Sequence, residues 1–190
     1  MQELVAATNN PHKLSEFRSI LGDKFVIRSL KEEGVAVEID EDADTFYGNA
    51  YKKAKTVAEL TGKPALADDS GLMVDALGGA PGVYSARYGG EDGNSELNRA
   101  KLLKEMSSAE NRKARFISCI VLYYPDGRSV SAEGITEGSI LTEEKGENGF
   151  GYDCLFYSDD LGMSFGEADP DMKNGVSHRG RALGALLAKL

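Results

Sequence analysis

The chain of 190 residues has no tryptophan, two cysteines, two histidines and five prolines. Cys119 and Cys154 stand outside any CxxC or other ligand-type spacing, which leaves nothing from which to build a disulfide framework or a cysteine-based metal site; a reduced cytoplasm is the expected setting. The missing tryptophan excludes no function, because eight tyrosines and seven phenylalanines remain to pack or stack. Long apolar runs are absent, so no bilayer-spanning segment is expected. Met1 to Ala7 carries no basic leader and turns polar at Thr8, which predicts a first strand rather than a signal peptide. There is no internal repeat, heptad run or low-complexity tract. Positive charge is in the minority, with 22 Lys and Arg against 31 Asp and Glu and a net charge of −9. Such a field repels polyanions and disfavours non-specific binding to nucleic acid or an acidic membrane. An anionic ligand must therefore meet a local cluster of cations or a metal.

The length is that of one domain, 1–190, large enough to build a cleft between two lobes, the second at roughly 80–140. Leu14, Phe17, Ile20 and Leu21 recur at helical spacing after the Thr8 to Lys13 loop, and Gly22 is a natural stop. A second helix is expected from about Thr45 to Leu60, capped by Asp44 or Thr45 and ended by Gly62 and Pro64. Phe46, Ala50, Ala54, Val57 and Ala58 form its buried stripe, and Asn49 and Lys53 share another face four residues apart. Pro64 to Ala67 reads as a buried strand that ends abruptly in Asp68-Asp69-Ser70-Gly71. Ser95 to Met106 reads as a helix with Leu97, Leu102, Leu103 and Met106 inward, followed by a hairpin around Pro125-Asp126-Gly127. Leu155 to Tyr157 is a short strand, and Ser177 caps a last helix with Ala182, Leu183, Leu186, Leu187 and Leu190 inward. Strands and helices are mixed throughout, which predicts an α/β or α+β domain without a linker.

Four segments carry chemistry. Thr8-Asn9-Asn10-Pro11-His12-Lys13 leaves a strand and enters a helix, whose free N–H groups and positive dipole end suit an anion, with Lys13 adding a full charge. An ordinary Asn-Pro turn reads the same way, and no Walker-type phosphate loop is present. Asp68 and Asp69 are adjacent carboxylates at a strand end, suited to holding magnesium or abstracting a proton; a plain turn is the rival. Glu41 lies in the acidic run Glu38 to Asp44, which by itself reads as a solvated loop. Phe150-Gly151-Tyr152-Asp153 sets aromatics beside a glycine, so that a planar base could approach and stack, unless both rings belong to the core. Lys173, His178 and Arg179 crowd cations before and into the first turn of a helix, against its dipole, which a bound anion would explain.

Read together, these blocks resemble the inosine triphosphate pyrophosphatase family, the noncanonical purine NTP pyrophosphatases. The matching strings are Ala7-Thr8-Asn9-Asn10 with Lys13 and Glu16, Thr45-Phe46 with Asn49-Ala50 and Lys53-Ala54, Ala67 to Leu72, Gly78 to Tyr88, Gly149 to Asp153, and Ser177-His178-Arg179 with Ala182-Leu183. They span nearly the whole chain in the family's order. Two positions depart: Gly48 stands where the family usually has glutamate before the Asn of its TFxENA block, and Cys154 where it usually has proline.

The resemblance implies a bent mixed β-sheet flanked by helices, two lobes with a nucleotide cleft between them, and a homodimer. It implies that Thr8, Asn9, Asn10, Lys13 and Ser70 hold the triphosphate and that Lys53 adds positive charge nearby. Glu41 and Asp69 would position magnesium with Asp68 in support, and Asp69 would also activate water. Phe150, Gly151, Tyr152, Asp153, Lys173, His178 and Arg179 would bind the base and sugar-phosphate. The expected reaction converts ITP, dITP or XTP to the monophosphate and pyrophosphate. A Maf-type pyrophosphatase with another base preference is one alternative, opposed by the Gly149 to Asp153 and Ser177 to Arg179 blocks. A nucleotide sensor that binds without cutting is the other, and a turnover assay separates it.

Overall fold

In the computed structural model, which describes residues 1–190, the apolar head of the chain forms β1 (Gln2–Ala6), followed by α1 (Pro11–Leu21) and β2 (Phe25–Ser29). Pro11 starts α1 at a position where its missing N–H costs nothing. Helix α2 (Phe46–Thr61) begins where the Thr45 side chain accepts the Gly48 N–H and ends at Gly62, whose left-handed backbone (φ 66°) closes the last turn. Strand β3 (Ala65–Val74) precedes α3 (Ser95–Glu105), and β4 (Lys113–Tyr123) and β5 (Ser129–Ile140) form a hairpin pinned by Tyr124 N–H to Arg128 C=O at 2.9 Å. Strands β6 (Phe156–Ser158) and β7 (Met163–Ser164) and helices α4 (Pro170–Val176) and α5 (His178–Leu187) complete the chain.

The seven strands form one mixed sheet in the order β2-β1-β3-β4-β5-β6-β7, so the chain has the mixed α/β fold expected of it. Strand β1 pairs in parallel with both β2 and β3, whereas β5, β6 and β7 pair antiparallel. No helix is long and apolar enough to cross a membrane.

Two compact units divide the chain. The first comprises Met1–Asp69, Ser118–Gly134 and Ala182–Leu190. Its strands bury alternate residues on opposite faces: Leu4, Ala6, Leu66, Ile120 and Leu122 pack with Phe17 and Leu21 of α1 and with Ala182, Leu183 and Leu186 of α5. Val5, Ala65, Ala67 and Val121 turn the other way, onto Ala50, Ala54, Val57 and Ala58 of α2. The second unit, Ser70–Ile117 with Ile135–Arg181, has its own core of Leu72, Leu102, Met106, Leu155 and a cluster of Phe116, Phe156 and Phe165. The Phe116 and Phe156 ring centroids lie 4.6 Å apart.

Three expectations are corrected. Asp68-Asp69-Ser70-Gly71 is no turn: β3 runs straight through it, because the carboxylates are neutralised by partners from other elements, as described below. Leu97 points outward at 43% exposure, the inward stripe of α3 being carried by Asn98 and Leu102. Leu190 lies beyond α5 and is exposed, whereas Leu187 packs against the core as expected.

Candidate active site

The site in the first unit begins where β1 stops. Its ladder with β3 ends at Ala6↔Leu66 and one further bond from Ala7 N–H to Leu66 C=O at 2.8 Å, so β3 outruns β1 by several residues. Strand β1 has β2 on one side and β3 on the other, and open parallel sheets bind ligands beyond the carboxyl ends of their strands where the order reverses in this way. The Thr8 to Lys13 loop occupies that end. Thr8 Oγ1 accepts the Asn10 N–H at 3.0 Å, and Asn10 Oδ1 accepts the N–H groups of His12 (2.9 Å) and Lys13 (3.3 Å), which caps α1 and fixes where Lys13 departs. Asn9 is exposed.

Asp68 and Asp69 are 1% and 5% exposed, a burial that two carboxylates tolerate only with close partners. Asp68 Oδ2 pairs with Lys13 Nζ at 2.9 Å, and Oδ1 accepts the Ser118 hydroxyl at 2.5 Å. Lys53 Nζ donates to the Asp68 main-chain carbonyl at 2.8 Å and to Glu41 at 3.1 Å, and it lies 3.9 Å from Asp69 Oδ1. Asn49 works in both directions: its Nδ2 donates to Asp69 Oδ2 at 3.0 Å, and its Oδ1 accepts the Ala43 N–H at 2.9 Å. One amide thereby ties the acidic segment to the strand. Burial and the neighbouring charge of Glu41 push the Asp69 carboxyl up to about 6, against the opposing pull of Lys53. Glu41, although its own burial acts upward, is held below the ordinary range by Lys53 and by a hydrogen bond with Asp69. Asp69 is thus the member of the pair that keeps its proton longer.

Gly48 lets the acidic segment lie this close. A Cβ at Gly48 would stand 2.8 Å from Ala43 Cβ, inside any real contact distance. The glycine that departs from the family pattern is therefore a packing position.

In the second unit, Asp153 organises the aromatic loop. Its Oδ2 accepts the Phe150 N–H at 2.9 Å and pairs with Lys173 Nζ at 2.8 Å, both side chains being 5% exposed. Gly149 must be glycine on two counts: its φ is 73°, and a Cβ would fall 2.2 Å from the same Oδ2. Lys173 Nζ stands 4.8 Å from the Phe150 ring centre and Arg179 Cζ 5.9 Å. Arg179, 1% exposed, donates to Ser70 Oγ at 2.9 Å. His178 stacks on Phe116 with centroids 4.8 Å apart. Tyr152 is turned into the core, 6% exposed, with its hydroxyl donating to Ser85 C=O at 2.7 Å. A cavity of about 250 Å³ borders the loop, lined in part by Arg99, Glu144, Phe150, Gly151 and Cys154; Arg99 Nη1 donates to Gly151 C=O at 3.0 Å.

Of the residues selected from sequence, Lys13, Glu41, Lys53, Asp68 and Asp69 converge in the first unit, and Ser70, Phe150, Asp153, Lys173 and Arg179 in the second. Asn49 and Ser118 join the site in the structure, through Asp69 and Asp68. Asn49 had a visible signal, its place one turn before Lys53 on the same helix face; Ser118, within an apolar strand, had none.

The model of the Ham1 family matches residues 4–189. The chain is 48% identical over 194 residues to the dITP/XTP pyrophosphatase of Clostridium tetani, covering 100% of this chain and 96% of that protein. Two solved structures superpose closely. The Staphylococcus aureus Ham1 protein has a TM-score of 0.88 at 37% identity, over 99% of this chain and 97% of that one. A HAM1 protein from Coxiella burnetii has a TM-score of 0.88 at 38% identity over the whole of both chains. With a family match over nearly its full length, and near relatives in both sequence and structure, the chain belongs to the Ham1 family.

Proposed function

We propose that this protein hydrolyses noncanonical purine nucleoside triphosphates, dITP, XTP and ITP, to the monophosphate and pyrophosphate. The observation that carries this reading is the cluster in which Lys13, Lys53 and Glu41 gather around the buried Asp68 and Asp69, in a protein whose net charge is −9. Two lysines gathered on one pair of carboxylates, one of them buried and the other open to a ligand, have little purpose in an ordinary core, and a triphosphate needs them. The relatives named dITP/XTP pyrophosphatase support the same assignment.

No group of three or more His, Cys, Asp or Glu side chains has metal-holding geometry. Glu41 and Asp69, already in contact with each other and with one cation, nevertheless fit magnesium, which is commonly held by one or two carboxylates and completes its shell with water and substrate phosphate oxygens. Magnesium there would neutralise charge on the phosphates. Lys13 and Lys53 would take up the remaining phosphate charge, together with the N–H groups at the start of α1. Asp69, whose carboxyl sits near 6, is ionised at neutral pH yet basic enough to draw a proton from an attacking water. Ser70 would contact the triphosphate, and Lys173, His178 and Arg179 would bind the sugar-phosphate and base, with Phe150 as the stacking face. Donors aimed at a 6-oxo group would reject adenine, which presents an amino donor there and leaves buried groups unsatisfied. A homodimer belongs to the same reading, to be checked by sedimentation equilibrium.

The test is pyrophosphate release from inosine, xanthosine, deoxyinosine, adenosine, guanosine and thymidine triphosphates, with and without magnesium. Inosine, deoxyinosine and xanthosine triphosphates should be cut far faster than those of adenosine and thymidine, and only with the metal, whereas guanosine, which shares the 6-oxo group, should be excluded less strongly than adenosine. Equal rates for every base would remove the assignment, and binding of inosine triphosphate without product would make the protein a sensor.

A further inference from the structure

Asp68 is the point on which Lys13 and Lys53 converge. Its carboxylate holds Lys13, its main-chain carbonyl holds Lys53, and its second carboxylate oxygen is held in turn by Ser118. A carboxylate on a strand can rotate about its side-chain torsions, and a buried one with a single partner would follow that partner. Here the Ser118 hydroxyl, 0% exposed on β4 and 2.5 Å away, fixes the other oxygen. The Lys13 ammonium therefore meets an acceptor whose direction is set by a neighbouring strand. Lys13 itself springs from the first turn of α1 and is still 16% exposed at its side chain, so it retains access to a ligand that Asp68, at 0%, lacks.

We propose that Ser118 is a positioning residue for polyphosphate binding: by fixing the Asp68 carboxylate it aims the Lys13 ammonium at the phosphate chain. The proposal rests on the reading above for the role of Lys13. It assigns Asp68 to the orientation of a lysine, with metal binding left to Glu41 and Asp69. The hydroxyl contributes through direction: without it the Lys13–Asp68 pair can still form, in more than one orientation, and the bound polyphosphate loses a fixed donor.

Inorganic tripolyphosphate with magnesium, and inosine, which has no phosphate, serve as separate probes in calorimetric titrations of wild type, Ser118→Ala, Asp68→Asn and the double variant. Ser118→Ala should weaken tripolyphosphate roughly tenfold while leaving inosine within about twofold, and it should add nothing in the Asp68→Asn background, as two members of one chain of contacts behave. Ser118→Thr, which keeps the hydroxyl, should recover most of the affinity. Unchanged tripolyphosphate affinity in Ser118→Ala, equal loss of both probes, or full additivity with Asp68→Asn would overturn the relay. So would a wild-type protein that does not bind tripolyphosphate. A wild type that shows the expected pattern yet releases no pyrophosphate from inosine triphosphate would refute the proposed activity and leave the relay standing.

Discussion

Asp69 lies buried against Glu41, and two carboxylates in contact cannot both ionise cheaply. Its folded-state value of about 6 exceeds the ordinary 3.8, so the folded protein holds this proton more tightly than the unfolded chain. The resulting stability is complete below the unfolded value and is lost as pH rises through about 6. At about 1.4 kcal/mol per unit, roughly 3 kcal/mol is at stake above that pH. Urea denaturation of metal-free protein should therefore show wild type losing stability relative to Asp69→Asn between about pH 4 and pH 7; parallel curves would refute the assignment. The same substitution should leave folding intact and lower turnover by about 10² or more, since the replacement can accept the Asn49 hydrogen bond but no proton from water. Near-normal turnover would move the base elsewhere. Phe150→Ala, by contrast, should raise KM more than it lowers kcat, stacking being mostly uniform binding; steady-state kinetics with inosine triphosphate separates the two.

At the scale of elements, α2 carries both Asn49 and Lys53 and so sets the separation of the acidic segment from β3. Gly48→Ala should raise the intrinsic helix propensity of this segment by about 1 kcal/mol. Its Cβ, however, would press on Ala43, whose N–H is the anchor received by Asn49. The expected outcome is a kcat/KM several-fold lower without loss of thermal stability, read by kinetics and calorimetry on one preparation; unaltered kcat/KM would mean that the segment yields freely. The limits of α1 and α2 were legible because caps are local: Pro11, Thr45 and Gly62 announce themselves by their own chemistry. The course of β3 was not. Asp-Asp-Ser-Gly has the composition of a turn, and only partners at positions 13, 49, 53 and 118, brought in by α1, α2 and β4, make a strand of it. Helix α4 was equally hidden, being seven residues long with a glycine inside and carrying Lys173 inward to Asp153.

For the molecule as a whole, a net charge of −9 leaves no broad positive face to be expected, and surface cations such as Arg18, Lys52 and Arg128 sit beside acidic partners. Fluorescence anisotropy with duplex DNA at roughly 50 mM salt should accordingly detect no complex, whereas a strongly salt-dependent one would demand a basic surface that the composition does not provide. Which residue types form the candidate site was legible from the ordered motifs; who holds whom was not, because a serine in an apolar strand carries no mark of its partner. The overrun of β3 past β1 has one more effect. The acceptor that receives Lys53 belongs to the peptide backbone, so it survives any replacement of the side chain at that position. Substitutions at 68 can therefore disturb one ammonium while its companion stays moored, and a mutational series there can apportion the work of the two lysines without ever altering either.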